Sequence, residues 1–281
     1  MITCEGVTKR YGATRALDDL SLHIDSPGIY CLLGRNGAGK TTLFRTLAGR
    51  TDASCGQVDV AGHTASVAAP PPDLRFLEAS APQFNLRLRD LLHHAAQLSD
   101  GFDENYALQL AERFELDVRK RFRQLSFGMT SMVNAILLLA SDASVLLFDE
   151  PTIGFDPIVR RRFYEALRAD YDEQPRTMVA STHVVDELAR VASEVIVMDR
   201  GAIMLRAPMA DLDERSYRLV GPTALVEPLL TGLNVLTVAT AAGLTSAAVL
   251  DRRIETPDTV RIEALNLADL FVALVEGGDH V

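Results

Sequence analysis

Cysteine is scarce in this chain, and so is lysine. Only Cys4, Cys31 and Cys55 occur among 281 residues. They form no C-x-x-C pair and are odd in number, so neither a disulfide framework nor a zinc site is expected, and a reducing, cytoplasmic setting suits the chain. Basic residues are outnumbered, 28 Lys and Arg against 38 Asp and Glu, for a net charge of -10. That balance repels a phosphate backbone unless the basic groups gather on one face, which excludes nucleic acid as the default partner. The first ten residues, MITCEGVTKR, lack a basic stretch followed by an apolar run. No secretory signal is expected, and the mature protein is expected to start at Met1. Long unbroken apolar runs are missing too. Residues 228–250 carry no charge over a span that could cross a bilayer, but Pro228, Gly232, Asn234 and Gly243 divide it into what read as short strands and turns of a packed subdomain. Internal repeats and heptads are also absent.

What is present is the composition of a folded globular chain, 48% apolar and 23% charged, which sets aside disordered and coiled-coil readings. Its length suits one large domain, or one domain with a small appendage. Strand-like pieces lie at residues 2–7 and 20–24, and a third, 29–33, runs straight into a glycine-rich turn. A helix is expected over 41–48, stopped by Gly49. Residues 62–83 turn to Ala, Ser and Pro and predict a loop. Helical patterns fill about 88–115 and return with an apolar body at 133–140. The short apolar runs 145–148, 177–181 and 194–198 read as buried parallel strands. Strands alternating with helices imply an α/β domain with a largely parallel sheet to about residue 212. Residues 216–281 read as a small α/β appendage ending in a helix from 267 to about 275.

The segment GRNGAGKT, residues 34–41, matches G-x-x-x-x-G-K-[ST] and lies where that motif must lie, after a strand and opening a helix. Gly37 and Gly39 let backbone N–H groups approach phosphate oxygens, and the helix adds its positive end. Lys40 reaches the β- and γ-phosphates, and the Thr41 hydroxyl ligates Mg2+. Lys40 is one of only three lysines, with Lys9 and Lys120, so its occurrence at this spot is not casual. The run VLLFDE, residues 145–150, ends in two carboxylates. Asp149 is placed to hold Mg2+ beside the phosphate loop, and Glu150 to orient and deprotonate an attacking water. A second anion-binding helix start lies in LSFGM, residues 125–129, where Ser126 can cap the following helix and Gly128 leaves backbone N–H groups open.

With these motifs in this order, residues 1–212 resemble the ATP-binding cassette (ABC) ATPases of ABC transporters, whose signature begins Leu-Ser and keeps a Gly two residues after the Ser. The resemblance implies a P-loop fold of ABC type: a largely parallel sheet core, an antiparallel β subdomain, a helical subdomain at about 75–140, and here an appendage at 213–281. It implies ATP held by Gly34, Arg35, Asn36, Gly37, Ala38, Gly39, Lys40, Thr41 and Thr42. Ser126 and Gly128 of a second subunit would close over that ATP. Tyr11 matches the aromatic residue that stacks on adenine, Asp156 the aspartate of the dimer-interface loop, and His183 the switch histidine at the γ-phosphate. The remaining histidines, His23, His63, His93, His94 and His280, have no such context. The family's glutamine, a ligand of Mg2+ or its water, falls on Glu78 by position or on Gln83 by side chain. Met129 stands where the signature has Gln, residues 130–132 lack the usual basic residue, and Ile153 and Phe155 replace a common Ser and Leu; these departures bear on catalytic strength. The arginine runs 119–123 and 160–162 read as solvated helix faces.

NLADLFVALVEGG near the C-terminus looks like the appendage of ATPase subunits from multidrug or antibiotic exporters whose permeases are separate chains. The implied protein is a cytoplasmic ATPase subunit that dimerises around two ATP molecules, hydrolyses them and drives a membrane permease that it contacts through the helical region between about Arg75 and Glu115. Its partner ATPase is either a second copy or a different chain. Two other readings are a soluble ABC protein without a permease, which usually shows two cassettes, a long coiled coil or a basic surface, and a weakly hydrolysing partner in a heterodimer.

Overall fold

The computed structural model describes residues 1–78, 85–182 and 185–277. Strands β1 (Ile2–Tyr11) and β2 (Thr14–Ile24) pair antiparallel, burying Ile2, Cys4 and Val7 from one and Leu17, Leu20, Leu22 and Ile24 from the other. Apolar-in alternation of this kind belongs to a sheet with one covered face. The chain enters β3 (Gly28–Gly34), buried at all seven positions, and leaves it through the glycine loop into α1 (Lys40–Leu47). β4 (Cys55–Val60) and β5 (His63–Thr64) complete the antiparallel sheet, ordered β2-β1-β4-β5.

At residues 62–83 the structure departs from the loop that Ala, Ser and Pro predict. Besides β5, residues Leu74–Leu77 form β6, an edge strand of the main sheet. Its pairing is non-local: Leu74 to Leu77 run in register beside Val145 to Phe148. Asp73 ties the start of this pair by accepting from the Ser144 backbone N–H at 2.8 Å and from the Ser144 hydroxyl at 2.5 Å. Leu74 and Phe76 are buried, so two inward side chains and a distant partner outweigh weak local propensity.

Three helices follow, α2 (Leu88–Leu98), α3 (Glu104–Arg113) and α4 (Phe127–Leu139). The helical stretch expected over 88–115 is thus broken in two, with Asp103 capping α3 by accepting from the Tyr106 N–H at 2.9 Å. Next come β7 (Val145–Asp149), α5 (Pro157–Glu173), β8 (Thr177–Ser181), α6 (Val185–Ala189), β9 (Glu194–Asp199) and β10 (Ala202–Pro208). The main sheet is ordered β10-β9-β3-β8-β7-β6 and is parallel except at β10. Period-two alternation divides its side chains between two cores. Ile29, Cys31, Leu33, Phe148 and Met178 meet the α4 and α5 side, while Tyr30, Leu32, Leu147 and Val179 meet α1 and the antiparallel sheet.

The last part holds α7 (Met209–Arg215), β11 (Ser216–Pro222), α8 (Thr223–Leu229), β12 (Val235–Ala241), β13 (Leu244–Leu250), β14 (Arg261–Ala264) and α9 (Leu267–Gly277). Its four strands form an antiparallel sheet ordered β12-β13-β11-β14. The uncharged stretch at 228–250 is thus the end of α8, which contains Pro228, then a turn and strands β12 and β13, so Gly232 and Gly243 mark turns as expected but Pro228 does not. α9 packs back onto α6, and Leu270 and Leu274 join the apolar cluster that contains Leu188. Among the described residues no helix is long and apolar enough to cross a membrane.

Candidate active site

β3 is pinned between β8 and β9, and this fixes where the glycine loop begins. A Cβ on Gly34 would lie 2.7 Å from the Met198 carbonyl oxygen, and one on Gly39 2.4 Å from that of Ala16. Gly39 also takes φ 106° as the residue before α1, a conformation that favours glycine. Gly37 has φ 85° with open space beside it, so there the loop faces outward, flanked by exposed Arg35 and Asn36. Ala38 is buried, and its carbonyl accepts from the Gly201 N–H at 2.9 Å. Lys40 is buried with its ammonium over the loop, donating to the Gly34 carbonyl at 2.7 Å and more weakly to that of Arg35 at 3.4 Å. Thr41 and Thr42 follow on the first turn of α1.

The strand end of β7 meets this turn. Thr41 Oγ1 donates to Asp149 Oδ2 at 2.7 Å, joining residues 108 positions apart. Ser181, at the end of β8 and level with Asp149, donates to Asp149 Oδ1 at 2.7 Å and accepts from the Glu150 N–H at 2.9 Å. Glu150 takes φ 49°, a left-handed conformation uncommon for a side-chain-bearing residue. The expected Thr41, Asp149 and Glu150 are thus brought together, and Ser181 is a residue that the motifs missed. Its only signal in the sequence is a hydroxyl closing an apolar run, TMVAS. Hydroxyl and carboxylate oxygens side by side at a phosphate loop form a hard donor pair that fits Mg2+. Among the described residues no group of three or more His, Cys, Asp or Glu side chains gathers as a metal cluster. One carboxylate and one hydroxyl suit an ion that keeps waters and binds substrate phosphates.

Glu78 lies just past β6, where both its oxygens accept from Arg45 of α1, at 3.1 and 3.0 Å, with Arg50 3.5 Å away. The hydrogen bonds from Arg45 hold its carboxyl below the usual range against the opposing effect of burial. This side chain is engaged by an ion pair with α1, a pairing that the sequence did not suggest. Gln83 and His183 lie outside the described residues. Tyr11 closes β1 half-exposed, with Lys9 Nζ 5.1 Å from its ring centroid. Burial pushes the Cys4 thiol up to about 12 and raises that of Cys31, so neither is a ready nucleophile.

At the other end of α4, Ser126 is the cap, accepting from the Met129 N–H at 3.3 Å. Gly128 packs against the turn after Glu150: a Cβ there would lie 2.5 Å from the Gly154 carbonyl oxygen. Asp156 caps α5, accepting from the N–H groups of Ile158 and Val159 at 2.8 and 2.9 Å, with Pro157 opening the helix. Ser126, Gly128 and Asp156 therefore belong to two adjoining helix starts. No hydrogen bond among the described residues joins Ser126 or Gly128 to the phosphate loop. Of the two arginine runs, 160–162 lies on α5, where Arg162 donates to Glu115 at 2.6 Å, while 119–123 lies in the connection between α3 and α4 and not on an α-helix face, with exposed Arg119 paired to Asp117.

Known proteins resemble this chain in sequence and in fold. The family model described as ABC transporter matches residues 17–153. The chain is 32% identical over 270 residues to the daunorubicin resistance ATP-binding protein DrrA3 of Streptomyces coeruleorubidus, covering 89% of this chain and 84% of that one. It is 34% identical over 220 residues to the sulfate/thiosulfate import ATP-binding protein CysA of Bordetella parapertussis (strain 12822), covering 72% of this chain but 60% of that one. The protein of the same name from Nocardia farcinica (strain IFM 10152) is 30% identical and covers 99% and 92%. A solved dimeric ATP-binding cassette in a post-hydrolysis state, bound to ADP and Pi, superimposes with TM-score 0.64 at 19% identity, over 74% of this chain and 99% of that one.

Proposed function

The chain belongs to the ABC transporter family as an ATP-binding subunit with ATPase activity, and on that premise we propose how its residues serve hydrolysis and what it drives. The observation that carries the reading is the 2.7 Å hydrogen bond from Thr41 to Asp149, which sets a phosphate loop against a carboxylate strand end. Backbone N–H groups from Gly34 to Thr42 cradle the phosphates, and Lys40 exchanges the loop carbonyls it now holds for phosphate oxygens. Thr41 and Asp149 would hold Mg2+, whose charge offsets that of the β- and γ-phosphates. Ser181 keeps Asp149 and the Glu150 backbone in place, and Glu150 takes the proton of the attacking water. Tyr11 stacks on the adenine, and Ser126, Gly128 and Asp156 act across a dimer on the partner's nucleotide.

In this reading residues 1–212 are the motor and 213–281 an appendage, and the motor drives a separate membrane permease at the inner face of the cell membrane. Relatives of comparable identity include a drug-resistance protein and sulfate importers. We favour export, on the appendage's likeness to exporter subunits and on the match to the daunorubicin resistance protein along most of both chains. The purified chain should hydrolyse ATP only with Mg2+. Lys40→Ala should lose nucleotide binding, and Glu150→Gln should keep binding while its turnover falls by about 100-fold or more. Hydrolysis that survives Glu150→Gln would remove Glu150 from the role of base.

A further inference from the structure

Helix α4 carries one polar side chain inside its most apolar stretch. Residues 133–139 read VNAILLL, and the helix is buried along this part of its length. Asn134 is 7% exposed, and its Nδ2 finds no acceptor among the described residues. A buried N–H without a partner is costly, and native structures usually satisfy it, often with an ordered water. Asn134 also lines a cavity of about 20 Å³ whose other walls are Ser131, Ala135 and Leu138 of α4 and the turn Phe148, Asp149, Glu150 and Pro151. That volume accommodates one water, which needs two or more polar partners.

We propose that Asn134 is a positioning residue for Glu150: its Nδ2 donates to a single water held in this cavity, and that water donates to the Glu150 carboxylate. The inference rests on the reading of Glu150 as the base. It joins the helix that begins with Ser126 and Gly128 directly to the carboxylate pair. Movement of the signature end of α4 is then felt at Glu150 through one side chain eight residues further along. A water so held fixes where the Glu150 carboxylate points, which a base acting on an attacking water requires.

Two measurements test it. A crystal structure of the unsubstituted chain, at a resolution that shows ordered waters, should place one water within hydrogen-bond distance of both Asn134 Nδ2 and the Glu150 carboxylate. A dry cavity, or a water that does not reach Glu150, overturns the proposal whatever the rate of hydrolysis. Asn134→Leu and Asn134→Ala both remove the donor. Either one that folds should lower kcat on the order of 10-fold with KM for ATP unchanged. A purely structural role would lower stability without that split between kcat and KM, so a folded variant with kcat unchanged also overturns the proposal. Loss of the base reading itself shows separately, as hydrolysis that survives Glu150→Gln.

Discussion

Asp149 is held from two sides, by Thr41 and by Ser181, and the second of these hydroxyls also receives the Glu150 N–H. Ser181 is fully buried, so Ser181→Ala leaves that N–H and one carboxylate oxygen without their partner. The expected cost is about 1–3 kcal/mol in urea unfolding, together with a fall in kcat larger than any change in ATP affinity. Stability and affinity measured on the same variant separate the two effects. Glu78 supplies a pH dependence. Its carboxyl titrates lower in the folded chain than the unfolded value of about 4.3, because Arg45 donates to it. A lowered acid contributes stability that is present above the unfolded value and is lost as pH falls through the folded one. Urea unfolding should therefore weaken more steeply between about pH 5 and 3 in the unsubstituted chain than in Glu78→Gln. Equal slopes would mean that the Arg45 pair is not formed in solution.

Among the elements, β3, β7 and β8 were legible from sequence because a strand covered on both faces must be apolar at nearly every position. The phosphate loop was legible because glycine and lysine are demanded by backbone approach and charge. β6 was not, since four residues with two inward side chains leave little local pattern and their order comes from β7, about 70 residues away. The pairing of Glu78 with Arg45 was hidden for the same reason, depending as it does on where β6 ends beside α1. The C-terminal pieces were readable as strands and a helix, but the docking of α9 on α6 was not. That docking has a testable weight. Leu270 is fully buried in the cluster shared with Leu188, so Leu270→Ala should cost about 2–5 kcal/mol. A loss below about 0.5 kcal/mol, within the usual range for surface substitutions, would mean that α9 is not docked as described.

For the whole molecule, the two helix starts at Ser126 and Asp156 lie side by side, and around them large apolar side chains are exposed: Phe127 at 55%, Ile153 at 37% and Ile158 at 58%. Apolar surface beside two adjoining helix starts suits a face that meets another protein. In our reading that protein is a second ATPase subunit, and the ATP between them completes the contact. The most direct test is size-exclusion elution of purified Glu150→Gln chain in Mg-ATP and in Mg-ADP, with bound nucleotide measured in each peak. The expected result is a dimer in Mg-ATP and a monomer in Mg-ADP, with one ATP retained per chain. A chain that binds ATP but elutes as a monomer in both would contradict closure of two copies over the nucleotide.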